Sequence, residues 1–371
     1  CMESQKAHMI YGLSGLFPCH LIISEDERSA KQIYEDYRFY EKNVYYYPAR
    51  DLLFFQADIH GNLLIRQRMQ GIRALLTEKE ITVVTSVDGC MDFLAPLQEI
   101  RGQILSFRND SQLDIDKLKT DLVAMGYERV GQVEMPGQFS VRGGIIDIYS
   151  LTEENPWRIE LWGDEIDSIR SFDAQSQRSI ENLEEIVIYP AAEPQVEKSG
   201  ITFLDYFDPE NSMIFLDEPN RLTENAKAVE EEFRQSCRNR EEKGEQNLSE
   251  GWMCSWEEVC RKLNRRNCVS LSSLEPKRSG WNITGVHNLT VKSMSSYQSS
   301  FELLVKDLQK YKKQGYQTVL MSGSRTRAER LAKDLQDEGL NAFYGQDSER
   351  ILEPGEIMVV YGHARKGFEY P

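Results

Sequence analysis

The chain has 371 residues, with 60 Asp and Glu against 44 Lys and Arg, a formal charge of −16, and 40% hydrophobic residues. That length exceeds one ordinary core and implies two to four domains, while the apolar content excludes gross disorder. The acidic balance argues against tight sequence-independent DNA binding by the whole chain, because phosphate is repelled on average; a local basic patch remains compatible with it.

The chain opens with Cys1-Met-Glu-Ser-Gln-Lys-Ala-His8 and enters a short helical pattern, followed by an apolar strand from Cys19 to Ile23. A helix is predicted from about Asp26 to Tyr37, and strands near Val44 to Tyr47 and Ile81 to Thr85. Strands alternating with helices indicate a parallel sheet. Such a sheet calls for another strand before Ser4, so the chain is expected to begin inside a domain. Past Arg108 to Ser111 the pattern changes. Ile115, Leu118, Leu122 and Met125 lie at helical spacing, with Asp114 placed to cap the start and Gly126 to end it. Gly131 to Pro190 is rich in strands separated by turn residues, as in an antiparallel sheet. An α+β domain over 108–190 is thereby inserted between 1–107 and 191–280. Met213 to Leu216, ending in Asp217 and Glu218, returns to the α/β pattern. The polar stretch 239–250 reads as a loop and Lys277 to Gly280 as a turn near a domain boundary. A helix around Tyr297 to Lys313, a strand at Gln317 to Met321, a helix at Arg325 to Asp337 and a strand at Glu356 to Tyr361 form an additional α/β domain over 281–371.

No stretch approaches the roughly 20 apolar residues that span a bilayer, and the start lacks the basic-then-apolar layout of a secretory signal. A soluble, cytoplasmic protein without a membrane partner is expected. The seven cysteines are irregularly spaced; the closest, Cys254, Cys260 and Cys268, lack paired C-x-x-C spacing, and the five histidines are scattered. Reduced structural thiols are therefore expected rather than a metal site.

A phosphate-binding loop needs glycines that let backbone N–H groups close on phosphate, a Lys, and a Ser or Thr hydroxyl for magnesium. The chain contains no Gly-Lys dipeptide. Its nearest approach is Ser4-Gln5-Lys6-Ala7, with Gln5 at the glycine position and Ala7 at the hydroxyl position. Phe215-Leu216-Asp217-Glu218 has the form of the strand that delivers acidic residues to magnesium in P-loop ATPases. An apolar run with an acid pair is common, and without a competent loop these acids have no metal to position. These six residues, Ser4, Gln5, Lys6, Ala7, Asp217 and Glu218, read either as a degenerate nucleotide site or as an ordinary helix start and a structural acid pair, which composition alone favours; neither catalytic residues nor a cofactor are expected in this chain. The order of elements gives an α/β fold class, with the α+β domain between two α/β segments and a second small α/β domain after them.

The most informative stretch is Arg142 to Asp173. In Trp157-Arg158-Ile159-Glu160-Leu161-Trp162, strand alternation puts Ile159 and Leu161 on one face and Arg158, Glu160 and Trp162 on the other. Gly163-Asp164 reads as a two-residue hairpin turn into Glu165 to Phe172. With Ile159 and Leu161 in the core, an indole stands outside beside a guanidinium, the residue types that dominate protein interfaces. Arg142, before Gly143-Gly144, joins them from a neighbouring strand. A sheet covered on both sides fits the alternation equally well.

Three phrases, Tyr47-Pro-Ala-Arg-Asp-Leu-Leu-Phe-Phe-Gln-Ala-Asp-Ile-His-Gly61, Pro136-Gly-Gln-Phe-Ser-Val-Arg-Gly-Gly-Ile-Ile-Asp147 and Arg158-Ile-Glu-Leu-Trp-Gly-Asp-Glu-Ile-Asp-Ser-Ile-Arg170, strongly resemble bacterial transcription-repair coupling factors (Mfd). The likeness extends through Phe172-Asp173 and Ser176-Gln-Arg-Ser179 to Gly367-Phe-Glu-Tyr-Pro371. The resemblance implies a region similar to the excision-nuclease subunit UvrB: a split P-loop-like parallel-sheet domain with an inserted α+β domain that binds UvrA, followed by a second small α/β domain. It implies an interface on Arg142, Arg158 and Trp162, and so favours the exposed face over the covered one. It also implies that RNA polymerase and DNA are engaged by domains following this region, and that ATP and magnesium serve a translocase in the full-length parent. The rival readings are a UvrB-like ATP-dependent DNA-damage-recognition helicase and a regulator that holds ATP on Lys6 and Asp217 without hydrolysis. The first requires an intact phosphate loop and a long DNA-gripping hairpin, for which Asp51 to Ile65 leaves little room.

Overall fold

The computed structural model describes residues 3–50, 58–193, 196, 201–244, 253–274, 280–294, 297, 300–345, 350–362 and 367–370. They divide into two compact units, one of residues 14–34 and 43–284, the other of 1–13, 35–42 and 285–371.

The larger unit is built on a five-stranded parallel sheet in the order Cys268–Leu271, Ser212–Asp217, Cys19–Ser24, Ile81–Ser86, Val44–Tyr47. Its three inner strands are buried along nearly their whole length. That burial is why the sequence there reads as continuous apolar runs such as Leu21-Ile-Ile23 rather than as alternation. Between Ile81–Ser86 and Ser212–Asp217 the chain leaves this sheet and builds a second one.

The inserted sheet has six strands, in the order Ser179–Leu183, Glu165–Phe172, Trp157–Trp162, Ile145–Ile148, Gln138–Arg142, Glu128–Arg129. All neighbours are antiparallel except the last pair. The helix Ile115–Ala124 has the N-cap that the sequence predicts, with the Asp114 side chain accepting from the N–H groups of Asp116 and Lys117. Gly126 follows at φ +89, where a Cβ would lie 2.7 Å from that of Ala192. One sheet face is apolar: Phe139, Ile146, Ile148, Trp157, Ile159, Ile166 and Ile169 join Leu118, Leu122 and Met125 in the main core. Burying each large apolar side chain stabilises the fold by roughly 1.5–3 kcal/mol.

A buried charge network fastens the exit of the insertion to its base. Glu193 accepts from Arg68 at 2.5 and 2.9 Å and from Arg50 at 2.6 Å. Arg68 donates to the Pro48 carbonyl at 2.7 Å, lies over the Tyr47 ring and forms an ion pair with Asp92 at 3.2 Å. Burial opposes ionisation of Glu193, but Arg68 and Arg50 outweigh it and bring the carboxyl to about 2. At Asp92 burial prevails over the same arginines and raises the carboxyl to about 6.

The helix Pro219–Glu242 takes in Asn239 to Glu242, which the sequence suggests as loop. Leu222, Ala226, Phe233 and Cys237 are buried along it, and Arg234 forms ion pairs with Glu230 and Glu231. Its charges therefore mark a solvated helix face. The rest of that expected loop, 245–250, lies outside the described residues. So do 277–279 of the expected boundary turn and 51–57 of the segment read as too short for a gripping hairpin; a helix begins at Asp58.

In the smaller unit, a three-stranded parallel sheet runs in the order Thr318–Ser322, Ile357–Tyr361, Ala342–Tyr344. Helices Phe301–Gln314 and Arg325–Asp337 are capped by the Ser300 and Ser324 hydroxyls. Val305, Leu308, Ala328, Ala332, Leu335, Ile357 and Val359 make its core.

Candidate partner-binding face

The second face of the inserted sheet is polar, and two tight hairpins lie at one end of it. Arg142 pairs with Ile145 across Gly143-Gly144, and Trp162 pairs with Glu165 across Gly163-Asp164. Gly143 and Gly163 adopt φ +62 and +64, the left-handed region that a two-residue hairpin requires and that glycine enters without a Cβ clash. Trp162 closes its strand on this face with 84% of its surface exposed. A large apolar group so exposed at the end of a hydrogen-bonded strand offers contact area of the kind that dominates protein interfaces.

The arginines are held differently. Arg158 is only 14% exposed in its side chain. It donates to both oxygens of Asp147, at 2.6 and 2.9 Å, and to the Gln177 amide oxygen at 2.9 Å, with its guanidinium over the Phe172 ring. Hydrogen bonds to Asp147 hold that guanidinium above its ordinary value. Asp147, fully buried, also accepts from Arg142 at 2.7 Å, and the Arg142 side chain stays 47% exposed. Two sequence expectations need correction. Arg142 stands on the strand next but one to that of Arg158, with the Asp147 strand between them. Arg158 does not stand free beside the indole: Glu160 lies between the two along the strand, and Arg170 forms an ion pair with Glu160. Sequence reasoning missed Asp147 and Gln177. The first was traceable in part, since the Gly143-Gly144 turn fixes the register that puts Asp147 opposite Ser140, on the same sheet face as Arg142.

The nucleotide-loop positions form the first turn of the helix Glu3–Ser14, which begins just before Ser4. Gln5, Lys6 and Ala7 are buried, and Gln5 donates to the Tyr370 hydroxyl at 3.2 Å. These residues belong to the smaller unit, Asp217 and Glu218 to the larger. Asp217 is buried at the end of its strand. Glu218 has φ +54 and its carboxylate accepts from the backbone and hydroxyl of Ser273, at 2.9 and 2.5 Å. Among the described residues no group of three or more His, Cys, Asp or Glu is placed to hold a metal. None of the described helices is long and apolar enough to cross a membrane.

Residues 105–193, which contain this inserted sheet, match the family model of the UvrB interaction domain. Over its whole length the chain is similar to the N-terminal region of transcription-repair-coupling factors. That of Bacillus subtilis (strain 168) is 25% identical, covering 100% of this chain and 37% of the relative. That of Staphylococcus haemolyticus is 24% identical, over 95% and 35%, and that of Staphylococcus aureus (strain MRSA252) 24%, over 89% and 33%. The chain thus spans about a third of the length of the curated relatives it matches.

Proposed function

We propose that this chain is a non-catalytic module that recruits UvrA in transcription-coupled nucleotide excision repair, through a face made of Arg142, Arg158 and Trp162. The observation that carries this reading is the indole of Trp162, exposed on the polar face of the very sheet that falls in the UvrB interaction domain. Arg142 adds a half-exposed guanidinium two strands away, so the face joins an apolar anchor to a fixed cation.

The chain acts without ATP or magnesium of its own. Gln5 and Ala7 supply neither the backbone cradle nor the metal hydroxyl, and Gln5 already bonds Tyr370. Incubation with ATP and magnesium is expected to give neither turnover nor a thermal shift; turnover by a clean preparation would favour the UvrB-like helicase instead. ATP-driven translocation on DNA and binding to RNA polymerase belong, in this reading, to the rest of the parent protein. Titration of purified UvrA with the chain and with Arg142→Ala tests the recruiting role. A weakening of about tenfold or more supports it, and equal affinity for both argues for another surface.

A further inference from the structure

We infer that Asp147 and Gln177 are positioning residues of the recruiting face: they fix Arg158, and Asp147 also fixes Arg142, in the orientation that meets the partner. This inference rests on the function proposed above. Asp147 sits on the strand between those of the two arginines, and its carboxylate is shared between them. One oxygen takes Arg158 Nε at 2.6 Å; the other takes Arg158 Nη2 at 2.9 Å and Arg142 Nη2 at 2.7 Å. With no exposed surface of its own, Asp147 cannot touch a partner and acts only through the arginines.

Gln177 closes the other side. It adopts φ +59, a left-handed conformation unusual for a side chain with a Cβ. The turn that imposes it is tied at several points. Gln177 N–H donates to the Asp173 carbonyl at 2.8 Å, Asp173 N–H to the Arg178 carbonyl at 2.9 Å, and Ser176 N–H to the Asp173 carboxylate at 2.7 Å. The amide nitrogen of Gln177 donates to the Ala174 carbonyl at 2.8 Å, which aims its oxygen at Arg158 Nη2. Phe172, fully buried, floors the guanidinium. Two guanidiniums sharing one carboxylate leave a net positive spot on a chain of charge −16. Arg142 keeps most of its donors free for an anionic or carbonyl-bearing surface, and much of its rotamer freedom is already spent before the encounter.

The test uses the full chain and purified UvrA, with affinity and melting temperature measured on each variant. Gln177→Asn keeps a residue that tolerates the left-handed backbone but shortens its reach to Arg158. It is expected to weaken binding about threefold or more while the melting temperature stays within about 2 °C of the parent. Asp147→Asn is expected to weaken binding about tenfold or more. Parental affinity in a folded Asp147→Asn overturns the inference. So does parental affinity in Gln177→Asn, which decides the matter alone should Asp147→Asn fail to fold. Trp162→Ala separates the two levels. If it weakens binding while the positioning variants do not, the inference falls and the proposed function stands; if it too binds normally, both fall.

Discussion

Replacing Glu193 by Gln removes the anion that two arginines share where the insertion rejoins its base. Arg68 and Glu193 are almost wholly buried, and Arg50 largely so. After the change, Asp92, at 3.2 Å from Arg68, is the carboxylate left in the network. Breaking a buried pair by removing one partner costs about 3–5 kcal/mol. Proton linkage gives an independent figure. The Glu193 carboxyl moves from 4.5 to about 2 on folding, which corresponds to roughly 3 kcal/mol of stability at neutral pH. Because the folded value is depressed, this stability is fully present above about pH 4.5 and is lost as pH falls towards 2. Urea unfolding followed by tryptophan fluorescence should show Glu193→Gln less stable by about 3 kcal/mol at pH 7, a large part of the roughly 5–15 kcal/mol typical of a domain. The gap between parent and variant should narrow as pH falls through that window. A loss below about 1 kcal/mol at pH 7, or a gap that does not change with pH, would refute the assignment of the network as the fastening.

Asp92 carries the opposite sign. Its carboxyl is raised from 3.8 to about 6 by burial, so its contribution to stability falls as pH rises from about 4 through 6. Asp92→Asn should remove the gain in stability that the parent shows between pH 7 and 5; equal slopes in parent and variant would count against it. Gly163→Ala forces a Cβ into φ +64 and should lower stability by about 1–2 kcal/mol in thermal unfolding. A change within about 0.5 kcal/mol would show that the hairpin turn relaxes.

Local patterns were legible in the sequence wherever one short segment decides the outcome. The alternation in Trp157 to Trp162, the Gly163-Asp164 turn and the Asp114 cap depend on neighbours alone, and each is seen in the fold. Which sheet face would be covered was not legible, because alternation separates two faces without saying what lies on either. Even the polar face is partly covered from within, since Phe172 and Gln177 close over Arg158. The Glu193 network joins Arg50 and Glu193, which are 143 positions apart, so no local pattern announces it. The helix Pro219–Glu242 was not legible for a different reason. Its apolar residues are sparse, and the charges between them resemble a loop until Phe233 and Cys237 are seen to be buried.

Trp162 is 84% exposed, so truncating it should leave folding unchanged. Truncating a central interface Trp typically costs about 2 kcal/mol or more, a weakening of roughly thirtyfold. Isothermal titration of purified UvrA with the parent chain and with Trp162→Ala, alongside their melting temperatures, reads both quantities at once. The expected result is a dissociation constant raised about thirtyfold at an unchanged melting temperature; equal affinity in a folded variant would place the UvrA-binding face elsewhere.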